Sequence, residues 1–241
     1  AVQNKSKLHL LGLVGSGGVH SNIEHLYALM RLAKQRGMTE VYLHLITDGR
    51  DSPPSSALTY IAQIKQYMSS LGIGKIATVM GRYFAMDRDQ RWDRTAKAYF
   101  ALTRGSPIKN ISADEVILQS YQKKVMDEFI EPTTILGTDG LSVSLIEAND
   151  SVIFMNFRID RPRQLTKAFV LDNFEKDAGQ QDFDPFAVKY FKTHIQKRAD
   201  GTFVFTRGPK IKYLLFATMT RYLVNLPVDG AFPPQFIQMP L

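Results

Sequence analysis

After seven mostly polar residues the chain turns apolar in LHLLGLV (8–14), then breaks at GSGGVHS. A short apolar run bounded by turn residues predicts a strand buried on both faces. NIEHLYALMRLAKQRG (22–37) next sets Ile23, Leu26, Tyr27, Met30 and Ala33 at helical spacing and stops at Gly37, which predicts a helix with one buried stripe. The alternation repeats. VYLHLIT (41–47) predicts a second strand, ALTYIAQIKQYMSSLG (57–72) a second helix and KIATVM (75–80) a third strand. Asp87 and Gln90 stand in the D-x-x-Q relation of a capping box, predicting a helix that starts there and runs through RWDRTAKAYFALTRG. DEVILQSYQKKV (114–125) predicts another helix, SVIFMNF (151–157) a strand, and RIDRPRQLTKAFV a helix with Pro162 tolerated in its first turn.

Strands alternating with helices of this length predict an α/β fold, a mainly parallel sheet flanked by helices in three layers. The pattern fades after residue 172, where a polar and aromatic stretch to about 210 reads as an irregular insertion with a short helix. IKYLLFATMT (211–220) predicts one more buried strand. The tail LPVDGAFPPQFIQMPL has no periodicity and several prolines, so it reads as a linker or an extended arm. The expected organisation is an N-terminal linker (1–7), a single domain (8–226) and a C-terminal hinge or linker (227–241).

Composition narrows the function. At 241 residues, 44% hydrophobic and 22% charged, the chain can bury a sizeable core. With no cysteine, disulfides and thiolate-bound metals are excluded. No apolar run is long enough for a membrane span, and the first residues do not read as a signal peptide; a cytoplasmic protein is expected. The net charge of +7 attracts anions. Lysines are scattered while arginines cluster beside glycines and aspartates, which favours a small anionic ligand over nucleic acid.

In an open parallel sheet, ligands bind outside the carboxyl ends of the strands. The first strand is followed by Gly17, Gly18 and His20, and the second by Asp48, Arg50 and Asp51. The third is followed by Arg82 and Arg88, and SVIFMNF by Arg158 and Arg161. Guanidinium forks match carboxylate and phosphate and stay charged. An aspartate among them is expected to remain ionised and to accept a proton from a substrate hydroxyl, and a histidine to donate to a carboxylate or move a proton near neutral pH.

Plainer readings stand beside these. Asp48 before Gly49 reads first as a turn residue, Arg91 and Arg94 as a solvated helix face, and Asp160 as part of a network at the start of a helix. Trp92 reads as core, and His9 and His44 as satisfied interior histidines. His20 and His25, five apart, are poorly spaced for a shared metal on a helix and His194 has no partner, so no metal site is expected in this chain. GSGGVHS lacks the lysine of a phosphate loop and does not match G-x-G-x-x-G, which disfavours a nucleotide site.

Taken together, GGVHS, TDGRD-x-PP, GRYFAMDRDQRW and NFRIDRPRQLT occur in the order and spacing found in cofactor-independent phosphoglycerate mutases. The chain resembles the substrate-orienting phosphotransferase domain of that family, and FATMTRY and LPVDGAFPP resemble its exit into the hinge. The resemblance implies an isomerase of glycolysis and gluconeogenesis that interconverts 3-phosphoglycerate and 2-phosphoglycerate. It implies substrate contacts from His20, Arg50, Asp51, Arg82, Arg88, Arg158 and Arg161, with Asp51 the catalytic proton acceptor and donor. It also implies a covalently linked phosphatase-like domain holding two divalent ions, usually manganese, and a monomer without membrane or nucleic-acid partners. This chain, with no cofactor of its own, is then expected to be inactive alone. The alternative is a free-standing sensor of a phosphorylated carboxylic acid. Two departures bear on either reading: Gly15 and Ser16 stand where the family reads SDGGVHS, and Arg221 stands where it has glutamate.

Overall fold

The computed structural model describes residues 1–110, 112–179 and 204–233. The apolar runs become β1 (Leu8–Val14), β2 (Val41–Thr47) and β3 (Lys75–Gly81), and every residue of the first two is buried. They lie side by side and parallel in an eight-stranded sheet of order β4-β5-β3-β2-β1-β6-β7-β8. β6 (Ser151–Phe154) joins the other side of β1, followed by β7 (Leu215–Thr220) and β8 (Asp229–Phe232), all parallel. β4 (Ile108–Asn110) and β5 (Thr133–Ile135) extend the opposite edge, with β5 antiparallel to β3. The expected three-layer, mainly parallel α/β arrangement is therefore present.

Side-chain alternation along the strands feeds two separate cores. Leu8 and Leu10 of β1 face α1 (Ile23–Gln35), α2 (Ala57–Leu71) and α5 (Ala113–Gln122). Leu11 and Leu13 face α4 (Trp92–Thr103), α6 (Arg163–Val170) and α7 (Phe174–Asp177), with α3 (Arg82–Ala85) tucked beneath α4. Trp92 belongs to this second core, as expected. On the same face a hydrogen-bonded line runs from Asp150, just before β6, across β1, β2 and β3. Asp150 Oδ2 lies 3.1 Å from His9 Nε2, His9 Nδ1 2.9 Å from His44 Nε2, and His44 Nδ1 3.0 Å from Thr78 Oγ1. Burial holds both imidazoles below their ordinary ionisation range. Neutral rings satisfy the line if each donates from Nε2 toward Asp150 and Thr78 donates to His44. These are the interior histidines the sequence predicts.

Three expectations change. No capping box forms at Asp87 and Gln90: α4 starts at Trp92, Gln90 has φ +62°, and its amide donates to Gln164 Oε1. Asp87 instead closes a local turn, accepting from the amides of Asp89 and Arg91 and from Gln164 Nε2. Its side chain is spent on the loop because Gln164 reaches it from α6, a contact invisible to local spacing. Second, the predicted strands at 151–157 and 211–220 are shorter, and β7 begins only at Leu215. Third, the tail read as a linker contributes β8, whose residues are all exposed; pairing with β7 rather than burial makes it a strand. Of the stretch read as an insertion, residues 180–203 lie outside the described residues, as does His194.

Candidate functional site

The chain runs β1, β2, β3 toward one edge of the sheet and later returns to place β6 on the other side of β1. The crossover connections therefore diverge between β1 and β6, leaving a crevice at their carboxyl ends. The loops after those strands are tied together there: the amide of Phe157 donates to His20 O at 2.9 Å. The loop after β1 also lies flat on the loop after β2. A Cβ on Gly17 would sit 2.3 Å from Asp51 O, so only glycine allows this approach. Gly15 is less confined: a Cβ there would meet Ser52 Oγ at 2.6 Å, a side-chain tip that can rotate away. Ser16 hydrogen-bonds the Tyr60 hydroxyl at 2.8 Å. Arg221 is exposed, and nothing in the structure gives it a role.

Arg82 leaves β3 and turns into the crevice, only 3% exposed. Its Nη1 donates to Asp48 Oδ1 at 2.5 Å and to Asp51 Oδ2 at 2.7 Å. Asp48 does act as the predicted turn residue, since Oδ1 also accepts from the amides of Arg50 and Asp51 at 3.2 Å. The same oxygen thus shapes the loop and binds its neighbour's cation. Arg50 points to the rim and pairs with Glu128 at 3.1 Å.

Asp160 is the second anionic centre. Arg88 Nη1 approaches its Oδ2 to 2.5 Å and Arg158 Nε its Oδ1 to 3.1 Å. Burial raises its pKa, but the hydrogen bond from Arg88 and the charges of Arg158, His20 and Arg88 outweigh that, and the net displacement is downward. Arg161 donates from Nη1 to Met86 O at 3.2 Å, holding the loop that carries Arg88. Burial and the fields of Arg88 and Arg82 lower its pKa, yet an arginine remains cationic.

His20 lies between the two centres. Nε2 is 4.0 Å from Asp51 Oδ2 and Nδ1 3.8 Å from Asp160 Oδ1, both too long for hydrogen bonds. Nδ1 is buried without a partner. Burial and then the Arg82 charge push its pKa down to about 4, against the pull of Asp160 and Asp51. A histidine so lowered is neutral at pH 7 and serves as a hydrogen-bond donor rather than as a cation.

Gly17, Gly18, His20, Asp48 and Asp51 line a small pocket at this edge, and the arginines from the strand ends stand around it. Arg50, Arg82, Arg88, Arg158 and Arg161 share the crevice with Asp48, Asp51, Asp160 and Glu128. The structure adds Asp48 and Asp160 as partners of the guanidiniums, where the sequence offered a turn and a helix start. It also adds Glu128, for which no sequence signal exists. Arg94 is not a simple solvated residue, since its guanidinium stacks 3.6 Å from the Tyr83 ring centroid. Among the described residues, no group of three or more histidines and carboxylates is arranged to hold a metal ion. The crevice carboxylates are bound by arginines instead. No helix among them is long and apolar enough to cross a membrane. A roomier cavity of about 340 Å³, lined in part by Tyr99, Arg104, Glu147, Arg207 and Lys212, lies elsewhere.

Comparison with known proteins identifies relatives of the chain. The family model described as BPG-independent PGAM N-terminus matches residues 1–223. The chain is 44% identical over 238 residues to the 2,3-bisphosphoglycerate-independent phosphoglycerate mutase of Moorella thermoacetica, covering 99% of this chain and 41% of that protein. It is 43% identical to the mutase of Chloroflexus aurantiacus, covering 99% of this chain and 43% of the relative. A crystal structure of Leishmania mexicana phosphoglycerate mutase at low cobalt concentration superposes with a TM-score of 0.77 and 27% identity, over 95% of this chain and 38% of that one. The chain therefore spans about two fifths of the length of the relatives it matches.

Proposed function

The chain belongs to the BPG-independent PGAM N-terminal family, and from that premise we propose that it is the substrate-orienting part of a phosphoglycerate mutase. It binds 3-phosphoglycerate and 2-phosphoglycerate in the crevice between β1 and β6. Arg50, Arg88 and Arg158, each about half exposed at the side chain, face the opening and exchange their internal carboxylates for those of the ligand and its phosphate. Arg161 completes the cationic wall, and Arg82 is the buried clamp on Asp51. Preorganised charge of this kind orients a small anion and stabilises charge developing on its phosphoryl group.

Asp51 accepts the proton from the glycerate hydroxyl that is to receive the phosphoryl group and returns it to the hydroxyl released. Its carboxylate is only 19% exposed, held by Arg82 and 4.0 Å from His20. A neutral His20 donates one ring N–H to the ligand without adding a cation. Among the described residues no group fits a metal, and the steps proposed for this chain use none. We assign the two divalent ions, manganese in the reading from resemblance, to a phosphatase-like domain in the remaining length of the relatives. That reading makes the protein cytoplasmic and monomeric, and this chain alone inactive.

The observation that carries the proposal is two guanidinium-bound carboxylates at the divergence of the crossovers, Asp51 held by Arg82 and Asp160 by Arg88 and Arg158, with His20 between them. Titration of the ¹⁵N-labelled chain with 3-phosphoglycerate tests it. Saturable shifts at Gly17, His20, Arg50, Asp51, Arg88 and Arg158, weakened in Arg158→Ala, are expected. No saturable binding at millimolar ligand, or turnover by the chain alone with contaminating enzyme excluded, would refute it.

A further inference from the structure

The loop that carries Asp48, Arg50 and Asp51 spans Asp48–Ser56 without a helix or strand of its own. Ser56 stands at the N-cap of α2, but its side chain makes no capping bond. The first amides of α2 are instead satisfied from a distance. Asp127 Oδ2 accepts from Ser56 N and Ala57 N, each at 2.9 Å, although Asp127 lies 70 residues beyond Ala57. Tyr121 donates its hydroxyl to the other oxygen, Oδ1. Asp127 is 1% exposed, so the carboxylate spends its capacity inside the protein.

The single 3-10 turn formed by Asp127–Phe129 touches the loop at many points. Thr47 Oγ1, at the end of β2, donates to Asp127 O at 2.7 Å, and Asp127 N donates to Pro54 O at 3.0 Å. Glu128 Oε1 takes the Arg50 guanidinium at 3.1 Å. The backbones press together: a Cβ on Gly49 would lie 2.9 Å from Glu128 N, and one on Gly81 would lie 2.2 Å from Glu128 O. The amide of Gly81, next to Arg82, donates to Ile130 O at 2.7 Å. The turn therefore holds both ends of the Asp51 loop and the strand end that delivers its clamp.

We infer that Asp127, with the turn it anchors, is a positioning residue for Arg50 and Asp51, setting where the crevice carboxylate and its rim cation stand. No atom of Asp127 reaches the crevice; it acts through the backbone of the loop. The inference deepens the mutase reading and rests on it for its consequence in binding, while its geometric content is independent of any ligand.

Amide hydrogen exchange separates this role from a plain helix cap. In the wild type, the amides of Arg50 and Asp51 are bonded to Asp48 Oδ1 and those of Ser56 and Ala57 to Asp127. Asp127→Asn is expected to speed exchange at all four and to weaken 3-phosphoglycerate binding about tenfold. Acceleration confined to Ser56 and Ala57, with Arg50 and Asp51 at wild-type rates, would overturn the inference and leave only a cap. Should Asp127→Asn lose its folded spectrum, Thr47→Val removes the hydroxyl bond to Asp127 O and is read at Arg50 and Asp51 with the same two outcomes. If the wild type fails to bind 3-phosphoglycerate while the variant still frees Arg50 and Asp51, the functional reading falls and the positioning role stands.

Discussion

Replacing Arg82 by alanine tests the electrostatic logic of the crevice most directly. The guanidinium is 3% exposed and bridges two carboxylates, of which Asp48 is 2% exposed at its side chain and Asp51 19%. Asp51 can recover some hydration when the arginine is lost; Asp48 cannot, because Gly15 and its own loop cover it. Breaking a buried pair by removing one partner costs about 3–5 kcal/mol, mostly as the charge left without compensation. A domain holds about 5–15 kcal/mol in total, so the variant forfeits a large fraction of it. At about 2–4 °C per kcal/mol for a domain of this size, the melting temperature falls by about 6–20 °C. The assay is urea denaturation with a thermal melt, run on the wild type, Arg82→Ala, Asp48→Asn and the double variant. If the penalty is the stranded charge, Asp48→Asn in the Arg82→Ala background restores part of the loss. A cost for Arg82→Ala below about 1 kcal/mol, the range of an exposed pair, would refute the reasoning, as would a double variant no more stable than Arg82→Ala.

Other expectations follow from the same geometry. His9, His20 and His44 all have lowered folded-state pKa values, with burial the first cause. The unfolded chain therefore binds more protons once pH drops through about 6.5. Stability is full above that point and declines as pH falls toward about 4, the folded value for His20; a melting temperature that is flat or rising from pH 7 to 5 would contradict this. Gly17→Ala drives a Cβ to within 2.3 Å of Asp51 O. It should cost about 1–3 kcal/mol and displace Asp51, weakening the proposed 3-phosphoglycerate binding by about tenfold or more; wild-type affinity by calorimetry would count against the close packing of the two loops.

Local pattern carried much of the architecture. The runs at 8–14 and 41–47 are strands within their predicted limits, because short apolar stretches between turn residues have few other stable fates. The same reading missed β4, β5 and β8. β4 is largely exposed, β8 wholly so, and β5 is only three residues long; all depend on a neighbouring strand rather than on periodicity. At Asp87 the capping spacing misled, since Gln164 from another helix competes for the same carboxylate.

By itself the sequence determined which residues stand at the strand ends, and parallel β-α-β alternation obliges those ends to share one edge of the sheet. Hence His20, Asp51 and the arginines could be named from the chain. Which charge pairs with which was decided only in three dimensions. Asp160 draws Arg88 and Arg158, Asp48 shares Arg82 with Asp51, and Glu128 meets Arg50 from 78 residues away. Protonation of His20 belongs to the same class, because burial and the neighbouring guanidinium, not its place in GGVHS, keep it neutral. Spacing along a chain governs the hydrogen bonds of helices and the faces of strands. Desolvation and Coulomb energy depend on distances through space, and only the folded chain sets those.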